Sequence, residues 1–207
     1  KICQNGEYEK LRDVLSAGTN SLWVDEVDVH GSTPLHRAAR GGHAKVIELL
    51  LEYKASIDAR DRKMITPLHE ACAGGFEEAV LVLLRAGAHP NLHKTNSSVT
   101  NGGFTPLHFA AANGHVGCVE HLLDAKGDVR GGDRAGECPL HVAVRKDSLP
   151  MVERLLAHAL EPSIASHNGR TPLHVAALHG RLACARSLLA AAQGRGVSAA
   201  GGGAGGG

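Results

Sequence analysis

A tetrapeptide that recurs at near-constant spacing constrains this chain more than any other feature. Thr33-Pro34-Leu35-His36 returns as Thr66-Pro67-Leu68-His69, Thr105-Pro106-Leu107-His108, Cys138-Pro139-Leu140-His141 and Thr171-Pro172-Leu173-His174, at intervals of 33, 39, 33 and 33 residues. The pairs Leu50/Leu51, Leu83/Leu84, Leu122/Leu123, Leu155/Leu156 and Leu188/Leu189 keep the same beat, 17 and 18 residues beyond each tetrapeptide's first residue. Self-similarity of this period marks a solenoid, in which each unit alone leaves two apolar faces bare and only stacking hides them.

Each unit reads as two short helices. Thr33 is a good N-cap, Pro34 suits the first helical position, and Leu35, Ala38 and Ala39 share one face, the alanines small enough to admit a neighbouring helix. Gly42, Gly75, Gly114 and Gly180 stop this helix at a residue free to take positive φ; Asp147, which tolerates that region with some strain, replaces glycine once. A second helix is predicted over Ala44–Glu52, packing antiparallel on the first and burying Val46, Ile47, Leu50 and Leu51. In the fourth unit Pro150 lands in the first turn of this helix, where proline is tolerated. Cys138 stands where threonine should cap, and a thiol is a poor acceptor. That unit is expected to lose up to about 1 kcal/mol of capping and to open most readily.

The 33-residue period carrying T-P-L-H, then the small pairs Ala38/Ala39, Ala71/Cys72, Ala110/Ala111 and Ala176/Ala177, then Gly, is similar to the ankyrin repeat over residues 2–193. The resemblance implies an all-α fold, an ankyrin-repeat solenoid of stacked helix-turn-helix units with projecting β-hairpin fingers at the polar spacers. Its expected units are 33–65, 66–104 with six extra residues, 105–137, 138–170 and 171–193. A partial unit over 2–32 precedes them, with Gly6 matching Gly42, Cys3 matching Ala39 and Val14/Leu15 matching Leu50/Leu51. Residues 194–207 read as a Gly/Ala-rich disordered tail. The last helix, near Leu182–Ala192, is more apolar than a solvent-facing cap, which implies that the array continues or that a partner covers this end.

Charge and composition narrow the function. Twenty-two Lys and Arg against 21 Asp and Glu leave +1, no excess to hold a phosphate backbone, so nucleic acid is not expected as a partner. No apolar run reaches the roughly 18 residues of a membrane span, so no membrane insertion is expected. Only six Phe, Trp and Tyr are present, so Leu, Val, Ile and Ala must fill the core, which favours helices. Five cysteines without a C-x-x-C pair read as core filler in a reducing compartment, cytoplasmic and/or nuclear. The chain opens on Lys1 without a leader pattern and reads as an excised segment with no secretion signal.

Of 14 histidines, five belong to the tetrapeptides, where the resemblance implies bonds to threonine and backbone. Stacked about 10 Å apart, two of them cannot share a zinc whose Zn–N bond is about 2.1 Å. His43 and His115 fill another recurrent framework position. No cofactor or metal is implied. No nucleophile–base–acid set or phosphate-cradling loop is recognisable, so no catalysis is expected.

The resemblance places recognition in a groove lined by finger tips and the exposed face of each first helix. Candidate protein-binding residues are Arg40, Asn113, Arg145, Lys146 and His179 on first helices, Arg62, Lys63, Met64, His93 and Arg134 on fingers, Ile65, Phe104 and Arg170 just before tetrapeptides, and Phe109 just after one. Bases outnumber acids there, which suits a protein partner with an acidic or mixed acidic/apolar patch; the chain itself is expected to be monomeric. Phe104 is expected to stand exposed beside Met64 and Ile65, rimmed by Arg62, Lys63 and Arg40, as a binding hot spot. Phe109 either joins it or packs internally. The insertion around Thr95–Asn101 in the finger His93–Gly103 either reaches over a partner or is a cheaply tolerated loop. The expected role is the target-recruiting part of an adaptor or scaffold such as a ubiquitin-ligase substrate receptor. The alternatives are a stoichiometric inhibitor of a kinase or transcription factor, or a passive spacer.

Overall fold

Every tetrapeptide starts a helix, and every leucine pair closes one. A computed structural model describes residues 8–16, 23–94, 102–158 and 161–194. The first helices of the units are α2 (Pro34–Arg40), α4 (Pro67–Gly74), α6 (Pro106–Asn113), α8 (Pro139–Arg145) and α10 (Pro172–Leu178). The second helices are α3 (Ala44–Glu52), α5 (Glu77–Arg85), α7 (Val116–Asp124), α9 (Leu149–Ala157) and α11 (Leu182–Ala192). α1 (Tyr8–Ser16) precedes them at the register of α3 and packs on it, as the partial first unit requires. Gly6 and Cys3 of that unit lie outside the described residues.

The cap explains the tetrapeptide. Thr33 and Thr66 hold extended backbone and accept the amides of His36 and His69 on Oγ1 at 3.5 and 3.4 Å. In return each histidine Nδ1 accepts the threonine N–H at 3.2 Å, and the same contact recurs at His108, His141 and His174. Because Nδ1 accepts, Nε2 carries the proton. It donates to the carbonyl just before the next tetrapeptide: Ile65 at 2.9 Å, Phe104 at 3.2 Å, Glu137 at 2.9 Å and Arg170 at 3.0 Å. One side chain therefore caps its own helix and pins the following unit. Cys138 keeps the geometry with its sulfur 3.2 Å from His141 Nδ1, while the His141 amide donates to the Cys138 carbonyl at 3.0 Å.

Stacking follows from small residues and left-handed turns. Neighbouring first helices pack directly, α2 on α4, α4 on α6, α6 on α8 and α8 on α10, while the second helices form a parallel row behind them. Ala38, Ala39, Ala71, Cys72, Ala110 and Ala111 are fully buried between them. Gly42 and Gly75 take φ of 70° and 73°, and a Cβ on either would stand 2.4 Å from the ring of Phe76 or His115 in the next unit. Glycine is required there both for conformation and for space. Asp147 adopts φ 60° at the equivalent place, and its carboxylate lies 3.4 Å from the Arg181 guanidinium of the next unit. Leu49 is buried in α3 and Leu51 only half-buried, the reverse of the expected order for that pair.

The fingers are simpler than the expected β-hairpins, since no strand forms among the described residues. The fingers at Asp28, Asp61, Asp133 and Ser166 are each one turn closed by two backbone bonds, such as Asp61 N–H to Ile65 O at 3.0 Å and Met64 N–H to Asp61 O at 2.9 Å. Asp28, Asp61 and Asp133 hold these turns by accepting two amides further along on one carboxylate oxygen. Adjacent fingers share single bonds, Arg62 N–H to His30 O, Arg134 N–H to Gly102 O and His167 N–H to Ala135 O. On the far side Asp25, Asp58 and Asn91 accept the amides of Ser56, His89 and Asp128, a second tether per junction; Arg130 occupies the next position. The 95–101 insertion and the tail from Arg195 lie outside the described residues.

Cys72, Cys118, Cys138 and Cys184 are buried and unpaired, and desolvation raises the pKa of each, to about 11 for Cys118. They fill the core as the sequence suggests.

Leu122 is fully buried in α7. Leu122→Ala is expected to cost about 2–5 kcal/mol in urea denaturation through the cavity it leaves. Burial pushes His69 and His108 down to about 4 and lowers His141. The unfolded chain then binds more protons than the folded one between pH 4 and 6.5. Stability is therefore complete above about pH 6.5 and falls as pH drops, by about 2 kcal/mol for each of His69 and His108 at pH 5. Denaturation curves at about pH 7.5 and pH 5 check this.

Candidate functional site

Fingers and first helices together form one continuous face. It holds a cleft of about 410 Å³ at the first three of the tetrapeptide units. Arg37 and Arg40 of α2 line one side, and His69, Glu70 and Ala73 of α4 line the floor. Phe109 of α6 closes the far wall, and His30, Ser32, Asp61, Lys63, Ile65 and Lys94 from three successive fingers form the roof. The 3.6-residue helical period sets this arrangement, putting Arg37, Arg40, Glu70 and Ala73 on the helix faces turned away from the second helices.

Of the sequence-derived candidates, the structure brings together Arg40, Lys63, Ile65 and Phe109 in this cleft, with Met64 between two of its residues. Arg134, Lys146, Arg170 and His179 are exposed on later units, away from it. Arg145 is tied to Glu137 by an ion pair. His93 Nδ1 donates to the Gly103 carbonyl at 2.8 Å, Asn113 Nδ2 to the Phe109 carbonyl at 2.9 Å, and the Arg62 amide to His30.

The expectation of an exposed Phe104 is wrong. Its side chain is 5 % accessible, its ring stacked on His108 at 5.0 Å and edge-on to Phe109 at 5.9 Å. Its carbonyl is held by His69, and its apolar ring lies against the His108 imidazole and Phe109, which shield it from water. Ile65 is likewise buried, and its carbonyl is held by His36. Phe109 satisfies both expectations, packing edge-on to His69 at 5.4 Å while lining the cleft. The hot spot centred on Phe104 is therefore replaced by a cleft centred on Phe109.

Electrostatics within the cleft are uneven. Arg37 donates from Nε to Asp28 at 2.9 Å, and that contact holds the Asp28 carboxyl down to about 2. Asp61 is committed to the amides of Lys63 and Ile65. Among the described residues Arg40, Lys63 and Lys94 face Glu70 as the only other carboxylate in the lining, and Lys94 Nζ lies 5.9 Å from the Phe109 ring centroid. Sequence reasoning missed Lys94 and Glu70, although Lys94 stands where three other fingers carry Asp28, Asp61 and Asp133 and the fifth carries Ser166, a break in the repeat that is visible in the chain. It also missed the apolar first connection, where Trp23, Val27 and Val29 are exposed, Val29 at 76 %.

Among the described residues no cluster of three or more His, Cys, Asp or Glu side chains is placed to hold a metal ion, and no helix is long and apolar enough to cross a membrane. The sequence matches the family model for ankyrin repeats over residues 1–94, 64–133, 92–166 and 131–198. The chain belongs to the ankyrin repeat family. It is 35% identical over 130 residues to the probable E3 ubiquitin-protein ligase XBOS32 of Oryza sativa subsp. japonica, covering 62% of this chain and 24% of that protein. It is 36% identical over 136 residues to the E3 ubiquitin-protein ligase XBAT32 of Arabidopsis thaliana, covering 62% and 23%. The chain thus spans about a quarter of these curated relatives. The human ASB11 ankyrin repeat domain superposes with a TM-score of 0.80 at 27% identity, over 92% of this chain and 81% of that one. Ankyrin repeats are an interaction module and imply a protein partner.

Phe104→Ala is expected to cost about 3 kcal/mol of stability, because it empties a buried site. A melting temperature equal to that of the unaltered protein would contradict the buried placement.

Proposed function

We propose that this ankyrin array recruits a target protein for a catalytic unit elsewhere in its polypeptide or complex, as a ubiquitin-ligase substrate receptor does. The observation that carries the reading is the cleft, where cationic and apolar side chains converge from three fingers and three first helices. Relatives named as E3 ubiquitin-protein ligases share the array and are about four times longer, which leaves room in them for other parts. The partner presents an acidic and apolar patch to Arg40, Lys63, Ile65 and Phe109, with Arg62, Met64, His93 and Arg134 at the finger tips and Asn113, Lys146, Arg170 and His179 extending the contact along the stack. Arg145 contributes through the orientation that Glu137 gives it. The reaction is located in the cytosol or nucleus, where buried thiols such as Cys72 stay reduced.

Proximity labelling in cells with the unaltered protein and an Arg40→Glu/Lys63→Glu/Lys146→Glu variant tests this. All three residues are exposed, so folding should persist. The variant is expected to lose a defined set of neighbours, and those neighbours should gain lifetime. An unchanged neighbour set overturns groove recognition. Loss of neighbours with unchanged lifetimes but altered activity would make the array a stoichiometric inhibitor instead.

A further inference from the structure

Charge in the cleft does not cancel. Arg37 is held by Asp28, and Asp61 is consumed by its own finger. That leaves Arg40, Lys63 and Lys94 against Glu70. Lys94 brings a charge to the cleft at the position where three other fingers hold the turn-capping Asp28, Asp61 and Asp133, and the Phe109 ring beside it adds an apolar wall.

The backbone supplies a second, independent observation. Gly31, Gly103, Gly136 and Gly169 occupy the same left-handed place in their fingers, with φ between 73° and 91°. In the second finger that place is Met64, at φ 61°. A side chain costs about 1 kcal/mol in this region relative to glycine. Strain is thus kept at one finger of five, and the Met64 that carries it stands between Lys63 and Ile65, which line the cleft.

We infer that the cleft takes an extended peptide segment of the partner, with an Asp or Glu side chain among Arg40, Lys63 and Lys94 and a neighbouring apolar side chain against Met64 and Phe109. Glu70 accepts a backbone N–H of the same segment. A volume of about 410 Å³ holds one or two side chains rather than a folded surface. A bare phosphate would satisfy the cations, but it would face Glu70 and leave Met64 and Phe109 uncovered. The inference rests on the recruiting role proposed above and specifies the chemistry the target must display.

Selection from a displayed library of random peptides on the whole chain, at physiological salt, tests it. The selected peptides are expected to share an acidic residue next to Leu, Ile, Met or Phe. Their fluorescein-labelled consensus, followed by anisotropy, should bind on the order of tenfold more weakly to Lys63→Glu/Lys94→Glu, as loss of a hot-spot contact does. Met64→Gly should also weaken it severalfold while the melting temperature holds or rises, since glycine relieves the strained turn. A consensus without an acidic residue, or affinity indifferent to the charge reversal, overturns the inference. So does the failure to select any peptide; if the groove variant still loses its cellular neighbours, the recruiting role stands and only the cleft chemistry falls. A peptide that behaves as expected, with no neighbour lost in cells, upholds the cleft chemistry and removes the recruiting role.

Discussion

The bond from a tetrapeptide histidine to the carbonyl of the next unit is the interaction on which the rest depends. It joins two levels of structure in one ring. Nδ1 completes a helix cap within the unit, and Nε2–H fixes the finger of the following one, so local capping and long-range stacking form together. Both functions need the neutral Nε2–H tautomer. A proton on Nδ1 would oppose the threonine N–H it now accepts, which is why burial can depress these imidazoles without costing the fold anything at neutral pH.

That bond also explains which parts of the groove were legible in the sequence. Helix limits were, because proline, small residues and glycine act locally: Ala44–Glu52 and Leu182–Ala192 form over the predicted ranges, and Asp147 takes the left-handed turn in place of glycine. Phe104 was not, because its environment is set by His69 and His108 rather than by its neighbours in sequence. A residue before a tetrapeptide reads as variable and therefore exposed. In fact burial at that position runs from Ser32, Ile65 and Phe104, all covered, through the half-buried Glu137 to the exposed Arg170.

Charge was legible only as a sum. Counting bases along the fingers gives a mildly positive groove, yet the count cannot separate Arg37 and Arg145, neutralised by Asp28 and Glu137, from Arg40, which occupies the position of Arg145 in its own unit and has Ser32 where Glu137 would be. Pairing removes Arg37 and Arg145 from the count and leaves Arg40 in the cleft. Buried or half-buried partners count fully and exposed ones hardly at all, so the cleft, with Lys94 over Phe109, is where the small net charge of the chain acquires directional meaning.

His174 separates what a unit supplies alone from what its successor adds. Its Nδ1 lies 2.8 Å from Thr171 Oγ1, the same as in the interior units, so the cap forms from local sequence. Yet the imidazole is exposed, Nε2 meets no carbonyl among the described residues, and Leu173 is only half-buried where Leu35, Leu68, Leu107 and Leu140 are fully covered. A cap contributes about 1 kcal/mol, whereas covering a leucine contributes about 2 kcal/mol, and several such residues are covered at each junction. The tetrapeptide therefore specifies where a helix begins, but the stability that keeps it there comes mostly from the next unit. Leu178, Leu182 and Leu189, exposed on the outer face of the last described pair, show the apolar surface that every interior unit has already spent on its neighbour.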